Sequence, residues 1–339
     1  MKLIDTRQAV GHVLCHDMTQ IIPGVSKGPR FRKGHVVTRE DIPVLLSMGK
    51  ENLYVWELEP GMLHENEAAQ RLCALCLGEN MECGEVKEGK IELTAARDGV
   101  FLVDTARLNA VNAIDDIMIA TRRGGGAVRR GDKLCGTRVI PLVIPEETLQ
   151  RAEAAAGDAP LLSLLPYKLK KAGVITTGSE VAKGLIPDSF TPVIAGKLAP
   201  FGITMTEHMV VDDRMDHLLE ALAQMRERDV DLILCTGGMS VDPDDNTPGA
   251  IRRSGARIVT YGAPVLPGAM FLLGYYPDGR PVLGLPGCVM YAAATIFDLV
   301  LPRIAAGVEL TKQDFVALGE GGLCLGCRPC TYPHCTFGR

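Results

Sequence analysis

The chain has 339 residues, of which 23% are charged and 47% belong to the apolar set, with 37 glycines and 21 prolines. This balance excludes wholesale disorder and fibrous repeats, and the length suits two or three domains with sizeable cores. A net charge of −5, with one Trp, seven Tyr and eight Phe, offers neither a basic field nor stacking platforms for nucleic acid.

The first seven residues carry no apolar signal core. The longest apolar-rich stretch, 289–302, is too short to cross a bilayer and contains Asp298. A cytoplasmic protein without nucleic-acid or membrane partners is expected. Among the eleven cysteines, Cys15, Cys135, Cys235 and Cys288 stand singly in apolar context and read as reduced core thiols.

Residues 1–64 alternate short apolar runs (10–14, 36–37, 53–56) with Gly and Pro, which predicts a small β-rich region. Residues 65–145 read as an α+β region: a helix over 65–77, strands at 90–93 and 100–102, a helical run over 106–119, and a strand over 138–144. A Gly-rich basic turn occupies 122–131. Cys73, Cys76 and Cys83 form a second, weaker cysteine group; Cys73 and Cys76 lie one turn apart on the first helix and read as small buried hydrophobes. Residues 146–170 read as a helix plus linker, and no internal repeat is visible.

Residues 171–310 have a different rhythm, with apolar strands alternating with helices. Strands are expected at 174–177, 203–211, 230–236, 257–260, 270–275 and 282–285, and helices near 188–201, 214–228, 248–254 and 287–306. Met215, Leu218, Leu219, Leu222 and Met225 give the second helix one apolar face, with Asp212 or Asp213 as its cap. Strands apolar throughout suit a sheet covered on both faces, and the tight turn 277–280 joins an antiparallel pair. The fold class is α/β: a three-layer α/β/α domain with a mixed, mainly parallel sheet, preceded by the smaller β-rich and α+β regions.

In such a sheet the ligand lies beyond the carboxyl ends of the strands. Three of those ends run into Thr177-Gly178-Ser179, Thr236-Gly237-Gly238-Met239-Ser240 and Gly284-Leu285-Pro286-Gly287. Gly allows close backbone approach, and amides with small hydroxyls favour an oxyanion such as phosphate. Asp242, Asp244 and Asp245 follow the second loop, and Asp212 and Asp213 follow another strand on the same edge. Carboxylates beside a phosphate call for a bridging cation, for which Mg²⁺ is the usual choice. Asp245 or Asn246 can also cap the helix entered through Pro248.

These segments resemble the molybdopterin-binding domain of molybdenum-cofactor biosynthesis proteins. The matching stretches are 173–180, 236–240, Asp245-Asn246-Thr247-Pro248, 265–268 and 284–287. The resemblance implies that Thr177, Gly178 and Ser179, then Gly237, Gly238 and Ser240, then Pro286 and Gly287 hold the pterin phosphate, and that Asp245, Asp242 and Asp213 form the acidic catalytic set, with Asp245 and Asp242 on Mg²⁺. Molybdopterin molybdenumtransferases, which insert molybdate into adenylylated molybdopterin and release AMP, carry further domains before this one, so the long N-terminal half favours that branch; the short stretches 9–17, 34–37 and 45–49 are similar to transferase segments, and residues 65–135 match none. Alternatives are adenylyl transfer to molybdopterin and a non-catalytic carrier or sensor. A homodimer and a molybdoenzyme or cofactor-pathway partner are implied too. The sequence departs from the transferase pattern in three places. The Asp-x-Ser-Ala-Met-Asp-Gly motif has no counterpart, residues 241–245 read Val-Asp-Pro-Asp-Asp, and Cys288 stands where Asn is usual.

Candidates for positioning molybdate are Arg122, Arg123, Arg129 and Arg130, or Lys27, Arg30, Arg32 and Lys33; solvated hairpin tips are the plainer reading of both clusters. In the Cys-rich tail, 311–339, the cysteines Cys324, Cys327, Cys330 and Cys335 fall within twelve residues, enough thiolates for zinc or an iron–sulfur cluster. His12, His16, His35 and His64 are scattered in sequence and suggest no role.

Overall fold

The strands with uninterrupted apolar sequence lie at the centre of a six-stranded sheet. The computed structural model describes residues 2–22, 26–55, 60–185, 187–240, 242 and 245–338, apart from the side chains of Ser26, Ser179 and Glu180. Trp56, Val241, Pro243 and Asp244, which fall in segments discussed above, lie outside the described residues. The chain divides into two compact units. The first comprises residues 1–97, 103–122 and 129–164, and the second 98–102, 123–128 and 165–339.

In chain order the elements as far as residue 165 are β1 (Lys2–Asp5), β2 (Met18–Ile22), β3 (Ser26–Phe31), α1 (Asp41–Ser47), β4 (Asn52–Val55), β5 (Met62–His64), α2 (Glu65–Cys76), β6 (Met81–Cys83), β7 (Lys90–Ala95), β8 (Gly99–Val103), α3 (Thr105–Asn112), β9 (Ile117–Thr121), β10 (Ala127–Val128), β11 (Lys133–Val139), β12 (Val143–Pro145), α4 (Glu146–Ala156) and β13 (Leu162–Leu165). In the first unit β1 pairs with β4, β2 with β3 and β5 with β12, and β6-β7-β11-β9 form an antiparallel sheet. Helix α2 buries Ala68, Ala69, Leu72 and Cys76, and Arg71 ties it to Glu146 (3.1 Å) and Glu153 (2.7 Å) of α4.

Two expectations for this region need correction. The helical run 106–119 stops at Asn112, whose side chain accepts from the Ile119 N–H and donates to the Ile119 carbonyl, both at 2.8 Å. Residues 117–121 are thereby held as a strand against β11. The helix expected within 146–170 is α4, whose Leu149, Ala152 and Ala156 are fully buried. Cys73 is not a free buried thiol but is disulfide-bonded to Cys83 of β6, whereas Cys76 meets the Cys135 thiol in the core.

The second unit continues with β14 (Lys171–Thr177), α5 (Ser179–Ala182), α6 (Phe190–Leu198), β15 (Thr204–Val211), α7 (Met215–Arg226), β16 (Leu232–Thr236), α8 (Thr247–Arg253), β17 (Arg257–Tyr261), β18 (Leu272–Tyr275), β19 (Pro281–Leu285), α9 (Ile296–Ala305) and α10 (Lys312–Val316). The sheet order is β15-β14-β16-β19-β18-β17. The first four strands are parallel, and β18 and β17 are added antiparallel. Strands β16 and β19 are buried at every position, as their sequences predict.

One face packs Val174, Leu232 and Leu234 against α6 and α9. The other packs Ile175, Ile233 and Cys235 against α7 and α8. The expected three-layer α/β/α domain is therefore observed. A Cβ on Gly173 would lie 2.3 Å from Met225 Sδ, so the missing side chain is what lets α7 close on β14. The expected helix over 287–306 is instead a 3₁₀ turn (Gly287–Met290) followed by α9, which starts afresh with a Thr295–Asp298 capping box.

The tail folds back onto this unit. Cys324 N–H donates to the Leu266 carbonyl, Leu266 N–H donates to the Gly322 carbonyl, and Gly338 N–H donates to the Gly321 carbonyl, each at 2.8 Å. Tyr332 Oη donates to the Asp298 carbonyl at 3.0 Å, and Phe337 is buried in the core.

This packing sets the expected cost of emptying the tail's anchor. Phe337→Ala should cost about 3 kcal/mol, the usual scale for a buried aromatic site, read as a lower urea midpoint. In the first unit, His64 is buried, and that burial pushes its pKa below the ordinary 6.5. A histidine held neutral in the fold binds fewer protons than in the unfolded chain. Its contribution is thus complete above 6.5 and lost as pH falls below it. Urea titrations above and below that value should show the loss, and His64→Gln should reduce it.

Candidate functional site

Strands β14, β16 and β19 are neighbours, so the three glycine-containing loops emerge side by side at one end of the sheet. Their closest approach is between the first two. Gly237 has φ +81°, and a Cβ there would sit 2.3 Å from the Thr177 carbonyl oxygen. Gly238 has φ +55°, and its Cβ would sit 2.8 Å from Thr247 Oγ1. Only glycine fits either position. Thr177 Oγ1 donates to the Thr236 carbonyl at 2.9 Å and lies 3.4 Å from Thr247 Oγ1, locking β14, β16 and α8 together. Gly178 N–H donates to the Val211 carbonyl at 3.1 Å.

Asp245 does not cap α8. Its Oδ2 accepts from the Ser240 N–H at 2.8 Å and its own N–H donates to the Asp242 carbonyl at 3.0 Å, so it closes the loop on itself. Asn246, at the N-cap position, uses its side chain to donate to the Asp213 carbonyl at 2.9 Å, joining the second loop to the end of β15. Tyr261 Oη donates to the Met239 carbonyl at 3.1 Å. Burial, with Asp245 nearby, pushes that phenol up. Asp242 is exposed. Asp212 is bound by His217 (2.7 Å) and Arg214 N–H (3.2 Å). In the third loop Pro286 is buried, Gly287 is exposed, and Cys288 is half-buried rather than a core thiol. The backbone of Ser179 begins α5, and its side chain is outside the described residues.

Side chains alternate along a strand, so Thr176 and Thr236, register partners on β14 and β16, face α6 and α9. There the structure assembles a group that sequence reading missed. Thr176 Oγ1 donates to Asp188 Oδ2 (3.0 Å) and lies 3.1 Å from His208 Nε2. His208 Nε2 is also 3.1 Å from Asp188 Oδ2. Burial pushes the Asp188 carboxyl up, but bonds from the Thr191 side chain and backbone, from Thr176 and from Phe190 N–H outweigh it and hold it below its ordinary value. The one signal for Asp188 in the sequence is its place ahead of a predicted helix. Beside this group, the buried Thr236 Oγ1 has no hydrogen-bond partner among the described residues, an orphan donor at the strand end.

Other predicted residues are not gathered here. Arg122 pairs with Asp132 at 2.8 Å, and Arg129 N–H donates to the same carboxylate at 3.1 Å, as in a plain hairpin tip. Lys27 and Arg30 are exposed on β3. Cys324 and Cys335 turn toward the core while Cys327 and Cys330 are exposed. Among the described residues no three His, Cys, Asp or Glu side chains stand in a metal-holding arrangement.

Residues 173–306 match the family described as a "probable molybdopterin binding domain". The α/β domain belongs to this family. Residues 3–57 match a family described as a domain of unknown function. A molybdopterin molybdenumtransferase of Synechococcus elongatus is 26% identical over 196 residues, 55% of this chain and 46% of that one. A CinA-like protein of Desulfosudis oleivorans is 36% identical over 83 residues, 24% of this chain and 20% of that one. The matches thus span under half of the first relative and a fifth of the second. A molybdopterin biosynthesis enzyme, MoaB, of Thermus thermophilus superposes with a TM-score of 0.35 at 22% identity, covering 41% of this chain and 98% of that one. No helix among the described residues is long and apolar enough to cross a membrane.

The loop geometry separates charge from scaffolding at Asp245. Asp245→Asn keeps an acceptor for the Ser240 N–H, whereas Asp245→Ala removes it. Both should abolish an activity that needs the carboxylate charge. Only the alanine variant should also loosen the loop, read as faster amide exchange at Ser240.

Proposed function

We propose that the α/β domain binds the phosphate end of molybdopterin across its three loops, and that the protein inserts molybdate into adenylylated molybdopterin with release of AMP. The observation that carries this is the Gly237-Gly238 step. Two left-handed glycines, packed too tightly for any side chain, put the backbone amides of the second loop beside Thr177 at the strand ends. Such amides accept a phosphate at close range and stabilise charge developing on it. The unpartnered Thr236 hydroxyl offers a further donor at the same strand end.

Magnesium fits the residues present. Mg²⁺ takes one or two carboxylates and fills its shell with water and phosphate oxygens. Asp245 commits one oxygen to the Ser240 N–H, and Asp242 is exposed beside it. Asp245 and Asp242 would hold the ion, which would supply charge neutralisation to the pyrophosphate. In this reading Gly237 and Gly238 position the phosphates, and Asp213, whose carbonyl holds Asn246, fixes the acidic loop in place. Ser240 contributes its backbone through Asp245, and Pro286 with Gly287 bounds the third side. A homodimer belongs to the same reading and is checked by light scattering.

The test is AMP release from adenylylated molybdopterin with Mg²⁺. Release should require molybdate and should fall at least about 100-fold in Asp245→Asn, the scale of a lost charge-stabilising contact. Tight binding without release would overturn insertion in favour of a carrier. AMP transfer from ATP to molybdopterin would favour the adenylyltransferase.

A further inference from the structure

Four cysteines of the first unit fall in one layer between α2 and the antiparallel sheet. Cys83 of β6 and Cys135 of β11 are both register partners of Leu93 on β7, so the three side chains leave the same face of the sheet. Helix α2 packs on β7 and β11 and carries Cys73 and Cys76 one turn apart. Cys73 is bridged to Cys83, and Cys76 meets Cys135. A disulfide and a dithiol therefore lie side by side.

Their access differs. Cys73, Cys76 and Cys135 are buried, whereas Cys83 is exposed on an edge strand of three residues. Thiol exchange needs a thiolate and a sulfur it can reach. The hydrogen bond to the Cys135 thiol, together with burial, pushes Cys76 well above its ordinary pKa, so Cys76 supplies no thiolate to shuffle the bridge. The bridge is approached from the Cys83 side, and exposed disulfides are the labile ones.

The bridge also closes a wall. A cavity of about 580 Å³ in this unit is lined by His64, Glu65 and Asn66 at the start of α2 and by residues 85–88, which follow β6. Gly89 N–H donates to Asn66 Oδ1 at 3.0 Å and Cys83 is bonded to Cys73, so the segment between them is tied to α2 at both ends. Glu65 is 7% exposed, and its carboxylate has no hydrogen bond or ion pair among the described residues. Burial pushes that carboxyl up, the mark of a group that gains from water. The bridge holds shut a wall whose opening Glu65 favours.

We propose that Cys73–Cys83 is a thiol-exchange site for a small-molecule thiol, and that its redox state decides whether residues 84–88 are clamped to α2. The incoming thiolate attacks Cys83 Sγ. The bond to Cys73 breaks, a mixed disulfide forms on Cys83, and Cys73 leaves with the electron pair and takes up a proton. A second thiolate attacks the small-molecule sulfur of the mixed disulfide. Cys83 leaves, takes up a proton, and the small molecule departs as its own disulfide. Two electrons and two protons enter the protein, and the small-molecule disulfide reverses the sequence. The site lies wholly within the first unit and does not rest on the transferase reading.

The experiment equilibrates the full-length protein anaerobically at graded ratios of reduced to oxidised glutathione, quenches with iodoacetamide, and maps each cysteine by mass spectrometry. Cleavage after Glu79 and Glu82 separates Cys83 from Cys73 and Cys76, and the exposed Cys327 and Cys330 are read in their own peptides. In oxidised glutathione Cys73 and Cys83 should be linked. As reduced glutathione rises, the mixed disulfide should appear on Cys83 rather than Cys73. Circular dichroism should stay native throughout, and Cys76 and Cys135 should stay unmodified until urea is added. Amide exchange over 81–88 should quicken at least about 10-fold on reduction, within what loss of a disulfide's restraint allows, while α4 should not change. Cys83→Ser should show the faster exchange at every ratio. Absence of the bridge in oxidised glutathione, opening only on global unfolding, modification of Cys76 in place of Cys83, or equal exchange over 81–88 in the two states would overturn the proposal.

Discussion

No side chain can stand between Gly237 and the carbonyl of Thr177, and the arrangement of the α/β domain's working edge follows from that. With the ends of β14 and β16 pressed together, the Thr177 hydroxyl reaches the Thr236 carbonyl and the next two residues turn through left-handed conformations. The chain then doubles back so that Asp245 can receive the Ser240 amide and Thr247 can sit under Gly238. Neither glycine position leaves space for a Cβ. The acids are placed by the same closure, since Asn246 reaches the Asp213 carbonyl only when the loop is drawn in.

Much of this domain is legible in the sequence because its physics is local or periodic. Strands β16 and β19 announce themselves by being apolar throughout, and the face of α7 appears at helical spacing through Leu218, Leu222 and Met225. The loops are visible as Gly with Thr or Ser after a strand. What is illegible depends on register. Thr176, Asp188 and His208 are spread over more than thirty residues, and they meet only because β14 and β15 run parallel with Thr176 opposite Val210. The cap role expected of Asp245 fails for a related reason. A carboxylate at a helix entrance caps it unless another amide is nearer, and the tight glycine turn brings Ser240 nearer.

The first unit is harder to read because its elements are short and its decisive contacts are between distant residues. Asn112 stops a helix by binding Ile119 through both ends of its amide. The helix expected in the alanine-rich stretch is held by burial of Leu149, Ala152 and Ala156. His16 and His64 look unrelated in the sequence, yet both line one cavity once β2–β3 and β5–α2 are folded.

The α/β unit is not encoded as one continuous stretch. Its compact body includes 98–102 and 123–128, where Val100 pairs with Ala127 and the Tyr167 hydroxyl donates to the Gly99 carbonyl. A gene fragment cut at residue 165 would discard that strand pair and leave Tyr167 without its acceptor. An insertion or deletion between 98 and 128 would be felt in the α/β fold as well as in the segment it alters.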